Sequence, residues 1–317
     1  MQVIEDVARK SVDRPQVALT IGSFDGVHLG HRRLLAELID IAKARQQRAA
    51  VLTMRPHPRE IFAPTHAPNL LTCERKKRQL LEEAGVDALL FLEFTKDTAD
   101  LEPAAFAETI IRDRCNAKTV VVGHDFRFGR AARGDYAFLK DAGHALGFSV
   151  HRVPPLFIEG ERVSSTLIRE RILQGDIGGA ETFLGRKYSL TGHVIPGHGI
   201  GRKLGFPTAN IAPRHSAVPA QGVYVAEAVL EAQTLPAAVN IGIAPTIRQK
   251  DIVIEAHVLD FTSNLLGSEI EIRFHKRLRS EQKFSTHEAL CEQIRRDVAA
   301  VRQYFAQAEP VPRPSGG

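Results

Sequence analysis

A chain of 317 residues with 44% hydrophobic and 25% charged residues has a globular composition, which excludes a disordered or collagenous protein and suits about two domains. Its formal charge of +5 divides as +2 over residues 1–186 and +3 over residues 187–317 with no concentrated basic arm, so no nucleic-acid partner is expected. The N-terminal stretch MQVIEDVARKSVDRPQVALT lacks a signal-like apolar core and no run approaches the length of a membrane span, so the protein is expected to be cytoplasmic, without membrane contact. Cys73, Cys115 and Cys291 are far apart, form no C-x-x-C pair and read as ordinary thiols.

Along the first half, the apolar β-branched runs VALTI (17–21), AAVLT (49–53), ALLFL (88–92) and TVVVG (119–123) alternate with segments of helical period. That alternation predicts an α/β fold, a parallel sheet covered by helices. Leu34, Leu35, Leu38, Ile41 and Ala42 mark one apolar helix face, and a helix is expected to start near His31. A second helix over ERKKRQLLEEAGVD closes at Gly85, with Arg75-Lys76-Lys77-Arg78 read as a solvated face, and Pro103 opens a third at its first position. After about residue 187 come short strand-like runs (YSLTGHVI, GVYVAEAVL, AAVNIGI, IVIEAHVLDF, SEIEIRF) with no helices between them, which predicts a small antiparallel β-barrel. A C-terminal helix follows, entered through a capping box at Ser285 and Glu288, and the Pro/Gly-rich tail 308–317 is expected to be disordered.

The first candidate site follows VALTI, in Gly22-Ser23-Phe24-Asp25-Gly26-Val27-His28-Leu29-Gly30-His31. A glycine-rich turn after a first strand lets backbone approach a ligand, and the helix behind it presents N–H donors to an anion. His28 and His31 are three apart, so both imidazoles can face one phosphate. A lone histidine there would read as a helix cap, whereas a pair bracketed by Gly26 and Gly30 reads as a phosphate site. Three further segments join it. Pro56-His57-Pro58 puts a histidine at the C-terminal edge of the second strand, and Gly123-His124-Asp125-Phe126-Arg127-Phe128-Gly129 offers a carboxylate, an arginine and two rings to a planar polar ligand. Arg162-Val163-Ser164-Ser165-Thr166 brings a cation and hydroxyls to another helix start. Singly these read as a turn, an aromatic pair and a cap.

In the second half, residues 197–210 (GHGIGRKLGFPTAN) combine four glycines with Arg202 and Lys203, a loop able to wrap phosphates with backbone N–H groups although it is no Walker loop. Thr208 and Asn210 lie two apart, so in an extended segment their oxygens point the same way and can share one Mg²⁺. Glu255 is a carboxylate in the apolar run IVIEAHVL; periodicity alone reads it as a solvent-facing strand position.

Taken in order, these motifs resemble the bacterial bifunctional riboflavin kinase/FMN adenylyltransferase family: GSFDGVHLGH, PHP, VVGHDFRFG followed by RGD, and RVSSTLIR in the first half, then GRKLGFPTAN, GVY, NIGIAPT, EAH and RLRSEQKF in the second. The resemblance spans roughly residues 15–305. It implies a Rossmann-like nucleotidylyltransferase domain (1–186) making FAD from FMN and ATP, and a riboflavin kinase barrel (187–307) making FMN. For the first site it implies that Gly22, Phe24, Asp25, Gly26, His28, Gly30, His31, Arg162, Ser165 and Thr166 bind nucleotide, with His28 and His31 on the ATP phosphates. Pro56, His57, Phe62, Asp125 and Phe128 would bind flavin. For the second it implies an ATP loop of Gly201, Lys203, Gly205, Pro207, Thr208 and Asn210, with Thr208 and Asn210 holding Mg²⁺, and Glu255 as general base. Riboflavin, FMN, FAD and ATP are then the small-molecule partners. The sequence departs from the family pattern at His124, Ile200 and Leu266.

Overall fold

The computed structural model describes residues 1–7, 15–57, 69–197, 199–213, 216–231, 233–245 and 250–307. The chain forms two compact units, one of Met1–Pro68 with Glu74–Ser165 and one of Asn69–Cys73 with Thr166–Gly317. The sequence texture changes at 186/187. By packing, Ile177–Leu184 lies against a barrel strand, so it goes with the second unit.

The first unit is built on a parallel sheet of six strands: β1 (Gln2–Ile4), β2 (Val17–Ile21), β3 (Arg48–Arg55), β4 (Ala88–Glu93), β5 (Ala117–Gly123) and β6 (Ser149–Val153), in the order β1-β4-β3-β2-β5-β6. All five residues of β2 are buried, as expected of a central strand covered on both faces. One face packs around Leu19, Leu52, Leu90, Val120 and Val122 and the other around Leu35, Leu38, Val51 and Leu89. The first helix, α1 (Leu29–Ala44), buries Leu35, Leu38 and Ala42; it begins two residues before the expected start near His31. Pro103 does sit at a helix N1 position, but after Ala105 the segment continues through Phe106–Arg114 in π geometry. Because β2 has β3 on one side and β5 on the other, the strand order reverses at β2, and a crevice opens at the carboxyl ends of β2 and β5.

The second unit is a closed antiparallel barrel of β9 (Ser189–Ile195), β10 (Ala209–Pro213), β11 (Gly222–Val229), β12 (Thr234–Pro245), β13 (Lys250–Val258) and β14 (Glu269–Arg279), in the order β10-β13-β12-β11-β14-β9. Ile211, Ile254 and Ile241 are register partners across three strands and are buried together. The C-terminal helix, His287–Gln307, packs Val298, Val301, Tyr304 and Phe305 on the barrel around Val225 and Leu259. Its entry differs from the expected Ser285–Glu288 box: Thr286 Oγ1 accepts from Ala289 N at 3.2 Å, because the helix starts one residue later and Thr286 becomes the cap. Asp297 accepts from Arg279 of β14 at 2.7 Å, tying helix to sheet by a largely buried ion pair.

A second tie runs through Glu227 of β11, which accepts from His275 Nε2 at 3.0 Å and Arg273 at 3.2 Å, while the His275 ring packs edge-on against Tyr304 and Phe305. The His275 hydrogen bond, opposed by desolvation and aided by the charges of His275 and Arg273, holds the Glu227 carboxyl below its usual range. A carboxylate depressed in the folded state adds stability above its unfolded pKa and loses it as pH falls through the folded value. The thermal midpoint of Glu227→Gln is therefore expected to fall less steeply below about pH 5 than that of the parent. Parallel acid limbs would show that Glu227 carries no such linkage.

Candidate active sites

The turn leaving β2 is strained where a ligand would approach. Phe24 and Val27 hold φ of 48° and 38° and Gly26 of 84°; the two non-glycine positions cost about 1–3 kcal/mol each and are kept by burial, at 2% and 0% exposure. His28 is the N-cap of α1: its Nδ1 accepts from His31 N–H at 3.2 Å. With Nδ1 committed as an acceptor, the proton of the neutral imidazole is on Nε2, which makes that nitrogen a donor. His28 and His31 stack at 3.7 Å with an interplanar angle of 13°, and Phe24 backs His31 at 4.9 Å. A Cβ at Gly30 would meet the His28 ring at 3.2 Å, so glycine there lets that ring lie against the first helical turn.

Ser165 Oγ donates to the Asp25 carbonyl at 2.9 Å, which brings the start of the helix Ser165–Gln174 to the β2 turn. Arg162 forms an ion pair with Asp125, joining the hairpin of β7 (Phe157–Ile158) and β8 (Glu161–Arg162) to the turn after β5. Beside them lies a cavity of about 760 Å³, within the size range of small-molecule sites. Its walls include Gly22, His57, Phe126 and Phe128; the last two rings stack at 5.4 Å, with Phe106 behind Phe128 at 5.7 Å. His28, His31, Asp125 and Arg162 are not in that lining. Thr166 follows Ser165 on an exposed helical position, and Phe62 lies outside the described residues.

In the barrel, residues 200–203 wind into one helical turn, which Gly205 leaves at φ 85°. The loop needs glycine for contact: a Cβ at Gly197 would overlap the Asn210 amide, and one at Gly201 would overlap the Phe206 carbonyl with Thr208 Oγ1 at 3.1 Å. The glycine backbone is thus laid directly on the two side chains singled out for Mg·ATP. A cavity of about 680 Å³ is lined by Gly197, Arg202, Pro207, Thr208 and Asn210 on one side and by Phe261, Leu265 and Leu266 on another. The Lys203 side chain is not among the described ones.

Glu255 is half-buried, and β-sheet register explains its position. It is the partner of Asn210 on β10 and of Asn240 on β12. Opposed residues of antiparallel strands project to the same face, so Asn210, Glu255 and Asn240 form a polar row next to the buried isoleucine row. The sequence reading gave Asn240 and His257 no role. Asn240 stands in the NIG motif and only register puts it beside Glu255, whereas His257, two residues further along the same strand, shares the face of Glu255 by alternation. No cluster of three or more His, Cys, Asp or Glu able to hold a metal occurs among the described residues.

Two glycine-rich turns, each laid against its own polar cluster on its own folding unit, describe a nucleotide-using enzyme with two sites. Residues 10–167 match the FAD synthetase family and residues 184–305 the riboflavin kinase family. The chain is 37% identical to the bifunctional riboflavin kinase/FMN adenylyltransferase of Escherichia coli K12, over 92% of this chain and 94% of that protein. It is likewise 37% identical to the Pseudomonas fluorescens protein of that name, over 96% and 98%. The chain belongs to the bifunctional riboflavin kinase/FMN adenylyltransferase family, and its two domains fit the conversion of riboflavin to FMN and of FMN to FAD. A crystal structure described as a macrolide-efflux protein from Streptococcus pneumoniae superposes with a TM-score of 0.86 at 28% identity, covering 95% of this chain and 99% of that one. Among the described residues no helix is long and apolar enough to cross a membrane.

Proposed function

We propose that the barrel transfers the γ-phosphoryl of ATP to riboflavin with Glu255 as general base, and that the parallel-sheet unit transfers AMP from a second ATP to the FMN so formed. The observation that carries the residue assignment is the register pair Asn210–Glu255, with Thr208 two residues before Asn210 and the glycine loop laid on both. A carboxylate one strand across from a nucleotide-holding pair can meet a substrate hydroxyl in line with the terminal phosphate. The ribityl oxygen attacks the γ-phosphorus, the bond to the β-phosphate oxygen breaks, ADP leaves, and Glu255 takes the hydroxyl proton.

Thr208 Oγ1 and the Asn210 amide oxygen are hard neutral ligands, a donor set that fits Mg²⁺ completed by phosphates and water. When bound there, Mg²⁺ supplies neutralisation of the β- and γ-phosphate charge. Arg202 and the loop N–H groups hold the phosphates, and Gly201 keeps the loop close enough to do so.

In the first unit an FMN phosphate oxygen attacks the α-phosphorus, the α–β bond breaks and pyrophosphate leaves, with no covalent enzyme intermediate. His28 Nε2, His31 and the N–H groups of α1 stabilise the phosphates, and Arg162 adds positive charge once it turns from Asp125. Phe126 and Phe128, at the cavity wall with His57, offer ring faces to the isoalloxazine.

Incubation of the intact chain with riboflavin, ATP and Mg²⁺, followed by chromatography of the flavins, is expected to show FMN first and FAD after a lag, with pyrophosphate appearing in step with FAD. FMN accumulation without FAD or pyrophosphate would remove the adenylylation assignment; FAD without an FMN intermediate would remove the order of steps.

A further inference from the structure

We propose that His257 is a positioning residue of the kinase reaction, a latch that fixes the carbonyl of Pro207 and with it the adjoining Thr208 relative to Glu255. The proposal rests on the assignment of Thr208 and Glu255 above.

Nδ1 of His257 lies 2.8 Å from the Pro207 carbonyl oxygen. A carbonyl only accepts, so Nδ1 is the donor, in the neutral as in the charged ring. The His257 ring also meets the Phe206 ring edge-on at 5.7 Å. Phe206 in turn closes the glycine loop, its N–H donating to the Gly201 carbonyl at 2.8 Å. A chain of contacts therefore runs from the loop at Gly201, through Phe206 and Pro207, to β13, where His257 shares its strand face with Glu255 two residues away.

The backbone cannot make this connection itself. Proline has no N–H to give to a ladder, and the register of β10 against β13 starts only at Ala209 with Ala256. The side chain of His257 supplies the tie at the point where the ladder stops. The peptide it holds is the one that enters Thr208, so the direction of Oγ1 depends on it. A group displaced by about 1 Å from its reacting partner can cost on the order of a hundredfold.

The distance from backbone to donor makes the test specific. An Asn amide nitrogen falls near the place of Nδ1, and a Gln amide nitrogen reaches one bond further. In the full chain, His257→Ala is expected to raise KM for ATP in riboflavin phosphorylation about tenfold and to lower kcat, with KM for riboflavin within about twofold of the parent. His257→Asn is expected to restore kcat/KM for ATP to within about threefold, and His257→Gln is not. FMN adenylylation by the same samples reports that the chain is folded, and should be unchanged in all three. Equal defects in the Ala, Asn and Gln variants, or no defect in any, would overturn the latch. If His257→Ala does not fold, the Asn and Gln variants carry the comparison, and equal activities overturn it. Thr208→Ala separates the two levels of inference: if it too leaves ATP use intact, the site assignment fails, whereas a crippled Thr208→Ala beside an unaffected His257→Ala removes the latch alone.

Discussion

Glu255→Gln is expected to lower riboflavin phosphorylation by about 10²–10⁴-fold while FMN adenylylation continues at the parent rate. Glutamine keeps the length and hydrogen-bonding reach of the side chain, so the polar row with Asn210 and Asn240 can persist. What it removes is the ability to take a proton. The position is half-buried and faces away from the isoleucine row, so the substitution leaves the barrel core untouched. The second activity of the same chain serves as the folding control: supplied with riboflavin and ATP, the variant should yield neither FMN nor FAD, and supplied with FMN and ATP it should yield FAD. Retention of more than about a third of the kinase rate would exclude Glu255 as the base, since a positioned general base contributes far more. Loss of both activities in a folded sample would instead show that the sites are not separate.

What the sequence discloses of this arrangement follows from how each element is buried. The central strands β2 to β5 are covered on both faces, so they appear as unbroken apolar runs and are readable directly. The edge strands are not: β1 is three residues with none fully buried, and β6, SVHRV, carries a histidine and an arginine because only part of it is covered. In the barrel β10 is five residues long and ends in proline, and its identity as a strand depends on pairing with β9 across the glycine loop and with β13, far away in sequence. The same holds for the chemistry. Thr208 and Asn210 are legible from their spacing, because an extended chain repeats every second residue. That Asn240 flanks the same cluster depends on the β12–β13 register, and that His257 holds the Pro207 carbonyl depends on one side-chain hydrogen bond, neither of which any local pattern encodes. The His28–His31 pair was legible as a pair, but the division of labour within His28 was not. The cap and phosphate readings of that residue are compatible, since the helix cap engages Nδ1 and the imidazole carries a second ring nitrogen of the opposite hydrogen-bonding role.

That division decides how the histidine pair should be tested. His28→Ala removes two things at once, and loss of the cap alone costs roughly 1 kcal/mol of helix stability. His28→Asn is the cleaner change, because an asparagine oxygen is a good N-cap acceptor for the His31 N–H while the imidazole Nε2 is gone. His31→Gln likewise keeps bulk against Phe24, which is 2% exposed and leans on the His31 ring. Each single variant is expected to lose about 10²–10³-fold in FAD formation from FMN and ATP, the usual cost of removing one donor from a developing phosphate charge. The double variant should fall below detection with riboflavin phosphorylation unchanged. The two histidines share one stack, so the losses should be less than additive. Comparing thermal midpoints then separates the roles: His28→Asn should melt with the parent and His28→Ala below it, although both are inactive in FAD synthesis. An active His28→Asn would mean that His28 serves only as a helix cap, and a His31→Gln chain with parent FAD synthesis would remove the second imidazole from the phosphate site.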